Sequence, residues 1–404
     1  MKNRNTYSYS LGFLLFTMLI ACSGSKKHSI DLSDDITIIT ANDPDKNIKI
    51  EDIYDSLEMI PLETKEECLI GYIHKVERFE DRIYILDANG MTLGLFDTDG
   101  KYISHINKPG RGPDEYLSIN FFRVDPISRK ILLSDNFSRK IFIYDLDLNH
   151  EKTISVDFHP AEIPAYRNNL LLQGQPTPVD RMTNEILRKF ESSLIDTLGH
   201  IVQGMIAAEI QNEHSLFTAM NVTAHDGGSI LMQPMMSDII YRITESFDSV
   251  IPAYYLNFQM KNWRQMDYDF YADLHKNVLE TYQEVKKYEK ENKTLITGGL
   301  LLNTDSNILV RYGNAQPIVC IYNKKTENAI SYSVNDIKGH EGLKIITACV
   351  SSAYKDKLYS GIPVINAKQI ADLEDLQFAL SDSIRRMDDN ANPVIFSYKI
   401  KEGL

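Results

Sequence analysis

The chain predicts an all-β fold, a six-bladed β-propeller closed by its own two ends. Three observations carry this. A strand-rich unit of about forty residues recurs in diverged form, the period of one four-stranded blade. Turn dipeptides divide each copy into short β-runs. The last copy is one strand short, and an alternating run near the N-terminus can supply that strand.

The repeat is clearest over residues 76–158. There VERFEDRIYILDANGMTLGLFDTDGKYISHINKPGRGPDEY is followed closely by FRVDPISRKILLSDNFSRKIFIYDLDLNHEKTISVDF. Asp81-Arg82, Asn89-Gly90 and Asp99-Gly100 turn the first copy. Asp125-Pro126 and Asp135-Asn136 turn the second. Further blades fall near 71–108, 117–158, 163–206, 217–258 and 295–334. A sixth begins at 345 with IITACVSS and KLYSGIPV and takes VIFSYKIK (394–401) as its third strand. Residues 56–62, SLEMIPL, alternate as a half-buried strand does and complete that blade. Closure leaves no bare sheet edge. The propeller then spans 51–404, with helical insertions near 267–292 (Leu274, Val278, Tyr282) and 367–389 (Ile370, Ile384, Met387).

Residues 1–21 read as a signal peptide. Lys2 and Arg4 start it, and Leu11 to Ala21 is an apolar run too short to span a bilayer. The polar stretch 22–50 reads as a tether. Removing the leader takes away two basic residues and no acids, leaving 41 basic against 56 acidic and a formal net of −15. That excludes nucleic acid as a partner, which needs a net basic surface. At 43% hydrophobic, the 404-residue chain can fill a sizeable core.

The run Leu19-Ile20-Ala21-Cys22 resembles a bacterial lipobox. The resemblance implies cleavage before Cys22 and a lipid on its thiol. Cys68, Cys320 and Cys349 then form an odd set with at least one free thiol. Cys320 and Cys349 lie in adjacent repeats, where a disulfide is one reading and small buried side chains the other.

GRGPDEY (110–116), followed by VDPISRKILLSDNFSRKIFIYD, resembles the NHL repeat. With the lipobox, LEMIPLET (57–64) and NPVIFSYKIK, the chain is similar to the six-bladed β-propeller lipoproteins of Bacteroidetes. The resemblance implies a fold and a cell-envelope address, on the outer membrane, and no catalytic residue. The Ser23-Gly24-Ser25-Lys26-Lys27 stretch is not acidic, which favours the periplasmic side.

Strand parity places the candidate site. In a meander, the link into a blade and the turn between its second and third strands share a face. That face gathers Asp87, Asn89, Arg111, Asp114, Glu115, Tyr116, Asp135, Asn136 and Arg139 at the expected channel mouth. Arg111 and Asp135 read as exposed loop charges, and Gly112 as a turn position needing positive φ. His74, His105 and His225 read as packing or surface residues. No HExxH, GxSxG, phosphate loop or CxxC occurs, so neither metal nor cofactor is called for by motif. The reading that follows is a non-catalytic binding or scaffold module for a glycan, a peptide or another envelope protein. The alternative is a hydrolase or lyase with a divalent cation such as calcium among Asp87, Asp114, Glu115 and Asp135.

Overall fold

The computed structural model describes residues 35–404 except 42, 88, 90, 175, 177–179, 181–182, 209–222, 235–236, 259–286, 288–298, 313–316 and 373–380. Strands β1 (Thr37–Ala41) and β2 (Tyr54–Pro61) precede the first blade. That blade is β3 (Lys75–Phe79), β4 (Arg82–Asp87), β5 (Thr92–Asp97) and β6 (Tyr102–Ile106). Blade two is β7 (Phe121–Asp125), β8 (Lys130–Asp135), β9 (Lys140–Tyr144) and β10 (His150–Ser155). Blade three is β11 (Ala165–Arg167), β12 (Leu170–Gln173), β13 (Ser193–Asp196) and β14 (Ile201–Gly204). Blade four is β15 (Thr223–Asp226), β16 (Ser229–Met232), β17 (Ile239–Ile243) and β18 (Val250–Phe258). Blade five is β19 (Leu300–Asn303), β20 (Asn307–Tyr312), β21 (Ile318–Asn323) and β22 (Ala329–Ser333). Blade six is β23 (Val350–Tyr354), β24 (Lys357–Ile362) and β25 (Val394–Ile400), and β2 is its outermost strand.

The six blades form a six-bladed propeller. Apolar clusters fill every seam between consecutive blades. In the seam from blade six back to blade one, Tyr359 and Ile395 meet Val76, Ile85 and Phe96. The closing pair β2–β25 is antiparallel, in register from Tyr54↔Ile400 to Pro61↔Val394. Its irregularity between Asp55 and Glu58 coincides with a left-handed φ of 52° at Ser56. Tyr54 fastens the start of β2, its hydroxyl 2.8 Å from that of Tyr332 and its ring edge-on to Tyr398.

Four expectations change or fall out of view. The stretch expected as a tether carries β1, which lies parallel to β18 as a fifth strand of blade four, from Thr37↔Tyr254 to Ala41↔Phe258. Ile39 and Ala41 are buried in the seam between blades four and five. A five-residue strand paired in parallel has no hairpin turn beside it, so no turn signal marks it. At the start of blade six, the expected strand IITACVSS is half helix. Leu343, Ile346 and Thr347 bury one helical face, and Val350 opens the strand. Of the helix expected over 367–389, Val364–Asp372 and Ser381–Arg385 are helical, and 373–380 lie outside the described residues. The expected helix over 267–292 lies outside the described residues, apart from Lys287.

The helices among the described residues are short. They are α1 (Ile50–Ile53), α2 (Glu185–Lys189), α3 (Glu341–Ala348), α4 (Val364–Asp372) and α5 (Ser381–Arg385). Asn184 caps α2 by accepting from Ile186 and Leu187 N–H at 3.0 and 3.2 Å.

Ring closure generates the first prediction. Phe396 is fully buried at the centre of β25, opposite Met59 of β2. Phe396→Ala should lower unfolding stability by about 3–5 kcal/mol in urea melts. A chain ended at residue 390, which lacks β25, should aggregate on gel filtration; a monomeric, cooperatively melting product would refute the closure's role.

Candidate functional site

The first strand of each blade lines the axis, and these strands carry charge where an apolar residue would be expected. Lys75 and Glu77 lie on β3, Arg123 on β7 and Thr223 on β15, while Glu162 comes from the link ahead of β11. All five are buried. Lys75 Nζ lies 2.8 Å from Glu77 and 3.1 Å from Glu162, and donates to the Phe122 carbonyl at 3.0 Å. Arg123 lies 3.1 Å from Glu77 and 3.0 Å from Glu162, and donates to Thr223 Oγ1 at 2.9 Å. Thr223 in turn donates to Glu162 at 2.6 Å, and Val124 N–H to Glu77 at 2.6 Å. Two cations and two anions cancel. The network reaches from blades one and two across to blade four.

Its electrostatics are those of a charge-balanced buried cluster. Burial alone would raise the Glu77 and Glu162 carboxyls. The cations Lys75 and Arg123 outweigh it, lowering Glu77 and holding Glu162 at about 2. Beside this cluster, Asp125 contacts Arg167 and accepts from Tyr166 N–H at 3.0 Å.

A cavity of about 430 Å³ adjoins Glu77 and Arg123. Phe79, Pro126, Gly227, Asp305 and Lys355, which lie at or just beyond the ends of inner strands, form its rim. It therefore opens on the face opposite the expected mouth. Four wall residues hold buried polar atoms with no hydrogen-bond partner: both ring nitrogens of His225, Oδ1 of Asn303, Oγ of Ser352 and Nε of Arg123, the last in ion-pair contact with Glu162 at 3.0 Å. Asn303 is oriented by Nδ2, which donates to the His225 carbonyl at 2.7 Å and to Asp226 at 3.2 Å. Asp226 is paired with Arg242 at 2.8 Å. Lys324 donates to the Thr304 carbonyl at 2.7 Å, and burial lowers its pKa. Burial, reinforced by Arg123, pushes His225 down to about 4, so its ring is neutral at pH 7.

The residues expected at the mouth have other partners. Asp87 is buried and accepts from Gly71 and Tyr72 N–H at 2.7 and 3.1 Å. Asp135 is also buried, not exposed. It accepts from Leu117, Phe137 and Ser138 N–H at 2.6, 2.9 and 3.1 Å, and these bonds lower its pKa against the effect of burial. Each carboxylate ends the second strand of its blade and latches the link that enters it. Tyr116 is buried, donating to the Met91 carbonyl at 2.8 Å. Asn136 N–H donates to Asn120 at 3.1 Å, and Arg139 has φ 56° and donates to the Asp157 carbonyl. Glu115 accepts from Gly112 N–H at 2.7 Å. Asp114 lies against the outermost strand of blade two, 3.2 Å from Thr153 and 3.6 Å from His150, so GRGPDEY folds outward from the axis. Arg111 and Asn89 are exposed. Gly112 has no positive φ; the tight position is Gly110, where a Cβ would come within 1.9 Å of Glu115 Oε2.

Among the described residues, no three His, Cys, Asp or Glu side chains converge as a metal site requires. Cys68, Cys320 and Cys349 are all free, so Cys320 and Cys349 are not bonded. Burial raises the Cys68 thiol to about 12 and Cys320 to about 11, which makes both poor nucleophiles at neutral pH. Sequence reasoning missed His225, Asn303 and Ser352. The available signal was polar residues inside the first strand of several repeats, and it was legible for Lys75, Glu77 and Arg123 as well.

The chain belongs to the family described as Domain of unknown function (DUF4934), which matches residues 33–399. Among solved structures it is similar to a Bacteroides fragilis protein described as exported. The identity is 17%, over 91% of this chain and all of the other, with a TM-score of 0.72. A Bacteroides vulgatus member of another family, DUF4221, matches at 12% identity over 86% of this chain and 97% of its own, with a TM-score of 0.49. A comparison with curated protein sequences gave no match. At these identities the first likeness speaks for the propeller fold.

Asp135→Ala should cost about 1–3 kcal/mol, because buried N–H groups lose their acceptor. Arg111→Ala should stay within about 0.5 kcal/mol. Chemical denaturation of both variants checks the contrast. Acid should weaken the fold in two windows. An unfolded histidine takes its proton near pH ~6.5, whereas native His225 resists until about 4. Stability therefore falls as pH drops through that interval. An unfolded glutamate protonates near pH ~4.3, and native Glu162 not until about 2, so its contribution is lost as pH falls between them. Urea midpoints from pH 7 to 3 should show both, and His225→Asn should flatten the upper window.

Proposed function

We propose that the protein is a lipid-anchored, non-catalytic module of the cell envelope that binds a small polar ligand, or the end of a chain, in the axial cavity. One observation carries this reading: the cavity is preformed, and its wall is polar and charged, built from the inner-strand ends of blades one, two, four, five and six. A cavity of about 430 Å³ falls within the roughly 300–1,000 Å³ of small-molecule sites. Glycan and peptide ends fit such a site; a whole envelope protein would meet only its rim. The hydrolase or lyase reading is not favoured. Asp87 and Asp135 are committed to backbone N–H groups, and no carboxylate orients His225 toward a nucleophile, as acyl-transfer chemistry requires.

The envelope address rests on the basic start, the short apolar run and Cys22, on the likeness to NHL-type lipoproteins, and on the similar protein described as exported. The side facing the periplasm is preferred because the residues after Cys22 are not acidic. Cys22→Ala should abolish lipid labelling and release the protein into the soluble envelope fraction. Unchanged membrane retention by that variant would remove the lipid anchor from the proposal.

A further inference from the structure

Resting on the cavity reading above, we infer that the ligand is a small organic acid, held by its carboxylate. The charges in the wall do not cancel. Arg78, Arg123, Lys324 and Lys355 stand there with Glu77, Asp226 and Asp305. Arg123 and Glu77 belong to the balanced axial cluster, and Asp226 is spent on Arg242 at 2.8 Å. What is left is Arg78, Lys324 and Lys355 against Asp305, three positive charges to one negative. Neutral groups hold these cations in place. Lys324 Nζ donates to the Thr304 carbonyl at 2.7 Å, and Arg78 Nη1 to the Arg82 carbonyl at 3.2 Å. The Arg78 guanidinium and the Lys355 ammonium lie 5.7 and 5.6 Å from the centre of one ring, Tyr354, itself in the wall. Two like charges beside one ring repel each other, and an anion beside them relieves that. Asp226, Asp305 and Asp356 act on Lys324 from a distance, yet burial outweighs them and lowers its pKa; a bound anion would act the opposite way.

The chain as a whole carries a formal net charge of −13, so this positive surplus runs against its average. A cleft that gathers one sign of charge raises the local concentration of ions of the other sign. A carboxylate suits the wall better than a phosphate does. Helix N-termini commonly hold phosphates, and none of α1–α5 contributes a residue here. A guanidinium offers a planar fork of donors that matches a carboxylate. Phe79, Val124, Pro126 and Ala353 add apolar wall for the carbon body of an organic acid, which an inorganic ion lacks.

The test uses the mature chain with Cys22→Ala, to keep it soluble. Calorimetry and saturation-transfer NMR would screen succinate, uronic acids with their neutral parent sugars, short peptides with free and amidated C-termini, amino sugars and inorganic phosphate. The expected result is binding of carboxylates alone, weakening as salt rises; the arm that binds tells a sugar acid from a peptide end. Arg78→Gln and Lys324→Met should each weaken it roughly tenfold, the loss of one charge-assisted hydrogen bond. Asp305→Asn, at an exposed position, should strengthen it roughly twofold with an unchanged melting temperature, a gain that a merely structural role would not produce. If phosphate, neutral sugars or amino sugars bind instead and Arg78→Gln or Lys324→Met alters their affinity, the cavity reading stands and the organic acid is overturned. If nothing binds, or whatever binds is indifferent to all three variants, the cavity reading falls with it.

Discussion

Four charges are buried where the blades converge, and their mutual neutralisation shapes everything at the axis. Taking an ion out of water costs several kcal/mol, and only close, well-bonded partners offset it. Lys75, Glu77, Arg123 and Glu162 satisfy that condition jointly, since each touches at least two of the others' groups. No pair would suffice alone: without Glu162, Lys75 and Arg123 would share one carboxylate. The network therefore holds blade one, blade two and the approach to blade three in a single relation. Through Thr223 it extends to blade four. Glu77 and Arg123 of this network also stand in the wall of the cavity.

The perimeter obeys a different constraint. A propeller's outer strands are sheet edges, and two of them are managed by the N-terminal segment. β2 completes blade six, and β1 covers the edge of blade four. Between them the chain crosses blade five, where Asp45 N–H donates to the Ser331 carbonyl and Ile50 N–H to that of Lys338. One segment thus spans three consecutive blades from outside. It resists opening of the ring over that arc, as the axial ions do over blades one to four.

Much of this was legible. Repeats announce themselves by period and turn chemistry, so blades one and two, the short sixth blade and the closing strand could all be read from residue order. What was not legible had physical reasons. β1 is brief and pairs in parallel, without a turn. Residues 345–348 are β-branched enough to read as strand, yet their helical face is the one that fits against blade six. The candidate site failed differently. Turn residues are polar for conformational reasons, and polarity near an expected mouth was taken as recognition. Asp135 shows the error: its carboxylate is occupied by the N–H groups of its own turn and link.

Repetition itself supplies a way to separate the two cases. Asp87 and Asp135 occupy the same place in consecutive copies, at the end of the second strand, and do the same work on the entering link. A polar residue that recurs with the repeat is explained by the repeat. Lys75, Glu77, Arg123, His225, Asn303 and Ser352 sit on inner strands, where the structural demand is apolar, and their types differ from blade to blade. A sixfold architecture has no use for such differences, because each blade could pack with the same side chains. Asymmetry written onto a quasi-symmetric frame needs a cause outside the frame. The ion cluster has one in charge balance across the axis. His225, Asn303 and Ser352, on blades four, five and six, take no part in that balance, and all three stand in the wall of the cavity.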